Sequence, residues 1–328
     1  MTIDGTAARE RSGGTAFVLT GGGSLGAVQV GMMTTLHEHG IHPDLLIGTS
    51  VGAVNAAYLA GPGTTAQRVG QLAALWSGMR RRDVFVPDPR RWARAAFGGT
   101  TSMFSAEPLR RLLELHLGYD ALEDARLGLA VTATDIVTGG PRFLSSGAVV
   151  DAVTASAAVP GLLPPVHRGG RTLVDGAVGH AGALAYAEAR GMDDIYLLPA
   201  GYPCAGPPPS SALGVGLTAL NLLLHRQLIE EVHAYSGRAR LHIVPPLCPL
   251  AISAADFSQA DTLMRRAGAS AGHWLDRSDP LAAPAGRTTG NGDDEVLAFH
   301  GPHRRAAGPG RPDDGAPTRL PATRHTTA

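Results

Sequence analysis

The chain carries no excess charge of either sign: Lys and Arg total 28, Asp and Glu total 28, and the formal net charge is +0. A general nucleic-acid binder would be basic, so that class is excluded, although a local basic patch is not. Cysteine is almost missing. Cys204 and Cys248 stand far apart in proline-containing surroundings, and such a pair makes neither a disulfide framework nor a zinc site. Two free thiols in a reducing compartment are expected, with a single bridge as the alternative. Residues 1–14 hold no apolar run, so no secretory signal peptide is expected. The longest weakly polar run, residues 212–224, is shorter than the ~20 residues of a spanning helix. The expectation is a cytoplasmic protein whose membrane contact, if it has one, is peripheral. No internal repeat is visible.

What is present is apolar bulk. Hydrophobic residues make up 44% of 328 positions, enough for a sizeable core in one large or two smaller domains. The first 60 residues set the architecture. A short buried-type strand (15–20) meets Gly21-Gly22-Gly23-Ser24-Leu25-Gly26. A helix (27–40) follows, then a second strand (44–47), Gly48-Thr49-Ser50-Val51-Gly52, and a helix to residue 59. Strand, helix, strand, helix argues a parallel sheet covered by helices, an α/β fold. Further helices are expected over 66–79, 105–117, 149–158, 183–190, 217–235 and 256–275. Strands are expected over 127–135, 194–198 and 241–244, with a hairpin over 167–173. Residues 80–101 are arginine-rich, with Phe85, Trp92, Phe97 and two prolines. They read as a solvated loop or as a contact for an anionic lipid surface.

Three short stretches carry chemistry. The glycine cluster matches G-x-G-x-x-G between a strand and a helix, which is also a dinucleotide fingerprint. That fingerprint wants an acid at the end of the second strand. Asp44 has the distance but stands at the start of the strand, whose end is Gly48-Thr49-Ser50. A P-loop is excluded because Ala27 stands where lysine is required. What remains is a set of backbone N–H groups at a helix start, suited to a phosphate or a transient oxyanion, or else simply a tight turn. Gly48 to Gly52 has the G-x-S-x-G form of a nucleophile elbow, in which the glycines give the crowded turn room. Alone it can also be a glycine-rich strand–helix junction. Its place one unit after the glycine loop matters, because adjacent loops of a parallel sheet emerge at the same strand ends. Asp175 follows Thr172-Leu173-Val174 and precedes Gly176. By itself it is a turn residue, but with Ser50 present it is a candidate base, since a serine alcohol needs a proton acceptor.

Gly21–Gly26, Gly48–Gly52 and Asp175-Gly176-Ala177, in that order, resemble the three motifs of the patatin-like phospholipase family. Val131-Thr132-Ala133-Thr134-Asp135 and the run from Ala155 to Pro165 resemble family blocks as well. The similarity covers roughly residues 17–186 and, more faintly, 224–235. It implies a three-layer α/β/α fold with a mainly parallel sheet and a Ser–Asp dyad. Ser50 would be the nucleophile and Asp175 the general base. The backbone of Gly21, Gly22, Gly23 and Gly26 would form the oxyanion hole, Gly48 and Gly52 the elbow, and Gly176 and Ala177 the loop of the base. Substrates would be lipid or other acyl esters; no cofactor or metal is implied. The chain then divides into a disordered leader (1–14), a catalytic domain (15–200), a C-terminal helical extension packed on the same domain (201–278), and a disordered tail (279–328). Two positions depart from the family. Leu25 stands where many relatives carry a basic residue. Gly179-His180-Ala181-Gly182 follows the base loop where relatives often show Asn and Pro.

Three alternatives stay open. One is a triad esterase or acyltransferase using a histidine, for which His180 is nearest to a motif. The others are a catalytically silent lipid-binding module and a nucleotide-binding module. His37, His39 and His42 flank a helix end and have no carboxylate or cysteine company for a metal.

Overall fold

In the computed structural model, residues 13–179, 182–201, 205–206 and 208–277 are described. The expected tail, all but the last two residues of the expected leader, His180 and Cys204 lie outside the described residues. The elements run β1 (Gly14–Leu19), α1 (Gly26–Glu38), β2 (Leu45–Gly48), α2 (Val51–Ala60), α3 (Thr65–Gly78), α4 (Arg81–Val84), α5 (Pro89–Ala96), α6 (Glu107–His116), β3 (Gly128–Asp135), β4 (Pro141–Leu144), α7 (Val149–Ser156), β5 (Val166–Arg168), β6 (Arg171–Asp175), α8 (Ala183–Ala189), β7 (Met192–Leu198), α9 (Ala212–Ala234), β8 (Arg240–Ile243) and α10 (Ala260–Arg277).

One mixed sheet has the order β5–β6–β3–β2–β1–β7–β8, with β4 also on β3. The centre, β3–β2–β1–β7–β8, is parallel. The hairpin of β5 and β6 joins it antiparallel to β3. Alternation along each strand feeds two cores. Phe17, Leu19, Leu46, Val131, Tyr196 and Leu198 point into the larger one, which is built with α1, α2, α3, α7 and α10. Ala16, Val18, Ile47, Ile195, Leu197 and Leu241 point into the other, built with α8 and the C-terminal half of α9. The result is three layers, α/β/α.

Several boundaries differ from the sequence reading. Gly14, expected in the leader, opens β1 and pairs with Met192. Helix α9 begins at Ala212 rather than 217, because the Ser211 hydroxyl accepts the Gly214 N–H at 3.1 Å and caps it. Residues 80–101, with a solvated loop as one reading, hold α4 and α5. Asp88 caps α5 by accepting the amides of Arg90 and Arg91, with Pro89 as its first residue. Asp-Pro is a helix-start signal that the arginine content masks. Strand β8 extends the sheet beyond β7, and α10 packs along α1 with very close backbones. A Cβ on Gly31 would meet the Met264 carbonyl oxygen at 2.2 Å.

Candidate active site

The register Leu19↔Gly48 sets the ends of β1 and β2 side by side, so the glycine loop and the elbow emerge together. At the elbow Ser50 has φ 55 and ψ −123, and among the described residues it is the one non-glycine with positive φ. Such a backbone costs about 1–3 kcal/mol and persists only where its surroundings hold it. Here they do. The Ser50 N–H donates to Ser156 Oγ at 2.9 Å, from the end of α7. Thr132 Oγ1 donates to Thr49 Oγ1 at 2.7 Å from β3. The flanking glycines are required by contact: a Cβ on Gly48 would sit 2.5 Å from Ala53 Cα, and one on Gly52 2.3 Å from the Leu19 carbonyl oxygen.

Asp175 ends β6, opposite Ala133 of β3. Its carboxylate accepts the Ala177 N–H at 2.9 Å, and the Ser50 hydroxyl lies near enough to lower its pKa. It is 3% exposed. Burial raises its pKa to about 6, and the Ser50 hydroxyl and the Ala177 N–H oppose that rise. The strand end is pinned from both sides: Thr134 Oγ1 donates to the Asp175 carbonyl at 2.8 Å, and the Asp175 N–H donates to the Ala158 carbonyl at 3.0 Å. Gly176 is obligatory, because its Cβ would overlap Thr132 Oγ1 at 2.2 Å.

The glycine loop faces this pair; a Cβ on Gly21 would lie 3.1 Å from Ser50 Cβ. Gly23 has φ 59 and passes against residue 254, whose carbonyl accepts the Ser24 N–H at 2.8 Å. Ser24 Oγ donates to the Ser253 carbonyl at 3.0 Å. The Gly26 N–H is engaged by the carbonyls of Gly23 and Ser24. Leu25 is wholly buried in the larger core, so its side chain is removed from any headgroup.

Sequence reasoning missed the support beneath the loop. Asn55 Nδ2 donates to the Gly26 carbonyl (3.0 Å) and to Gln29 Oε1 (2.9 Å), and Asn55 Oδ1 accepts from Trp76 Nε1 (2.9 Å). Gln29 Nε2 donates to the carbonyls of Thr20 and Leu198. A polar residue inside the apolar run of α2 was the available signal, since buried amides require partners. Ser156, within the run from Ala155 to Pro165, likewise carried no signal of its role.

Ser50, Asp175 and Gly21–Gly23 open into a cavity of ≈ 1160 Å³. Its walls are mostly apolar, among them Trp76, Leu163, Leu224 and Phe257. His225 of α9 also lines it, and burial lowers its pKa to about 4, which keeps the imidazole neutral. His37 and His42 lie elsewhere, with Nδ1 atoms 3.1 Å apart. Among the described residues, no three His, Cys, Asp or Glu side chains group as a metal site.

Comparison with known proteins gives a family and several distant relatives. A family model described as patatin-like phospholipase matches residues 17–187. Lysophospholipase nte1 of Aspergillus terreus is 29% identical over 191 residues, which are 56% of this chain and 12% of that protein. An NTE family protein of Mycobacterium tuberculosis is 32% identical over 163 residues, 48% of this chain and 25% of that one. The chain thus matches only a minor part of these relatives. Among solved structures, VipD from Legionella pneumophila aligns with a TM-score of 0.41 at 12% identity, over 80% of this chain and 66% of its own.

Proposed function

The chain belongs to the patatin-like phospholipase family, and from that premise we propose that it is a serine lipid acyl hydrolase working through a Ser50–Asp175 dyad. The observation that carries the reading is that Ser50, on its strained elbow, and the buried Asp175 carboxylate, whose pKa the Ser50 hydroxyl lowers, line one large apolar cavity. The relatives named lysophospholipase agree with an ester of a lipid as substrate.

Ser50 Oγ attacks the ester carbonyl carbon while its proton passes to Asp175. The carbonyl π electrons move onto oxygen, and the amides of Gly21, Gly22 and Gly23 are assigned to receive that oxyanion. One such donor is worth about 2.7–4 kcal/mol in enzymes generally. The Gly26 amide, engaged within its own turn, is left out of the hole. Collapse expels the alcohol, which takes the proton from Asp175. Water then attacks the acyl-enzyme, giving a proton to Asp175; collapse breaks the ester bond to Ser50 Oγ, which takes that proton back, and the fatty acid leaves. A raised carboxylate pKa suits this work, because a base titrating nearer neutrality accepts a proton more readily.

Hydrolysis of p-nitrophenyl esters by wild type, Ser50→Ala and Asp175→Asn tests the reading. Both variants are expected to lose at least ~10³-fold in kcat, and a fully active Ser50→Ala protein would falsify it. A fluorophosphonate probe should label wild type at Ser50, which separates an enzyme from a silent lipid-binding or nucleotide-binding module. His225 is the described histidine that lines the cavity and His180 is nearest to a motif, so His225→Ala and His180→Ala together decide between dyad and triad. The dyad reading expects both variants to keep hydrolysing short esters.

A further inference from the structure

The half of α9 from Ala212 to Leu224 carries no charged residue. With Thr218 and Asn221 its only polar side chains, and both lining the cavity, such a helix belongs in a protein core or at a membrane. This one is in no core: none of its described side chains is buried. The helix becomes anchored only further on, through Leu228, Ile229 and Val232. Leu217, Leu220 and Leu224 line the cavity that holds Ser50, while Val215 is 54% and Leu223 61% exposed. Water therefore meets apolar side chains on the outside of a helix that is itself one wall of the cavity.

A second wall points to what covers it. Arg81 and Phe85 of the α4 region line the same cavity, and Trp92 of α5 stands edge-on to Phe104, another lining residue, at 6.2 Å. Residues 80–97 hold six arginines against two aspartates, and Phe97 is 91% exposed. Basic and aromatic side chains beside an apolar helix match the two phases of an anionic leaflet, phosphates above and hydrocarbon below. No helix among the described residues is long and apolar enough to cross a membrane, so the match is to one that lies on its surface. We propose that the N-terminal half of α9, with α4 and α5, is a docking face for an anionic lipid bilayer, delivering acyl chains from the leaflet into the cavity. This rests on the lipid acyl hydrolase reading for its substrate, but the binding itself does not require catalysis.

The test uses the full-length Ser50→Ala protein, which cannot consume its vesicles. It should co-sediment with vesicles of phosphatidylcholine and phosphatidylglycerol, and much less with phosphatidylcholine alone. Val215→Ser with Leu223→Ser should lower the partition coefficient at least ~10-fold. Arg82→Gln with Arg90→Gln should lower it roughly 30-fold, from ~1 kcal/mol per arginine near an anionic surface. In the Ser50-containing protein, Val215→Ser with Leu223→Ser should spare a soluble short ester and depress hydrolysis of vesicle lipid. A full chain that stays in the supernatant overturns the proposal, the face then being covered by another part of the chain. So does a dimer that Val215→Ser with Leu223→Ser dissociates, which would make the occupant a second copy. Equal binding by all variants overturns it too. Vesicle binding by a protein that hydrolyses no ester would sink the catalytic reading and leave the docking face standing.

Discussion

Asp175, the proposed base, is held in a state that costs the fold stability. Its carboxyl titrates near 6 in the folded chain, against about 3.9 when unfolded. The folded state therefore binds more protons between those values, and stability falls as pH rises through that window. Below about pH 4 the cost is absent; above 6 it is complete, at about 3 kcal/mol for a shift of this size. Asp175→Asn should thus abolish hydrolysis and yet raise the urea midpoint at pH 7, with the gain vanishing at pH 4. An Asn variant less stable than wild type at both pH values would contradict this account. Wild-type kcat/KM should climb about tenfold per pH unit up to ~6 and then level off. Asn55 is the opposite case, a residue whose loss is paid for in structure. Asn55→Ala strands the Trp76 indole N–H and one oxygen of Gln29, both buried, and removes a second bond to the Gly26 carbonyl. A loss of about 3–5 kcal/mol in urea unfolding is expected. Ser50 and Asp175 were legible because flanking glycines announce crowded turns. The pKa of Asp175 and the network under Asn55 were not, because both depend on side chains brought from distant segments.

Two elements hold the site rigid from behind. Helix α7 delivers Ser156 to the Ser50 amide, so it fixes the strained elbow rather than touching substrate. Ser156→Ala should cost about 1–3 kcal/mol for the stranded amide. It should lower kcat while leaving KM nearly unchanged, because the misplaced group is the nucleophile and not the acyl site. An effect confined to KM would argue against that role. Helix α1 begins where the glycine loop ends, and α10 presses on it through Gly31. Gly31→Ala forces these backbones apart, and a loss of at least ~1–3 kcal/mol by thermal or urea unfolding is expected. The existence of α1, α2 and β1–β2 was readable from apolar runs punctuated by glycine. The direction of β6 was not: a hairpin's pattern shows that its strands pair, but not which strand outside receives them. Helices α4 and α5 were hidden because six arginines look like solvated loop, although Asp88-Pro89 is a start signal.

At the scale of the whole molecule, the sheet does for the reacting groups what sequence order cannot. Gly21, Ser50 and Asp175 come from the ends of β1, β2 and β6, and the register of the four consecutive strands β1–β2–β3–β6 brings them together. The meeting of the glycine loop with Ser50 followed from the order strand, helix, strand, helix; the arrival of Asp175 through β6 did not. The cavity did not, because its walls come from α9, the segment around residue 254, α3 and the loop after α7, none of which announces itself as a binding element. Its size carries the last prediction. At ≈ 1160 Å³ it exceeds the usual ≈ 300–1,000 Å³ of a small-ligand pocket, and most of its wall is apolar. Each methylene moved from water into such a wall gains about 0.8 kcal/mol. If the acyl chain lies there, kcat/KM for p-nitrophenyl esters should rise up to ~4-fold per added methylene from butyrate towards decanoate, measured below the concentration at which the esters form micelles. Leu224→Asp, which sets a charge on the cavity face of α9, should flatten that rise while leaving turnover of the butyrate ester within about twofold. A wild-type series that is flat from the start would put the acyl chain outside the cavity and leave its apolar wall without an occupant.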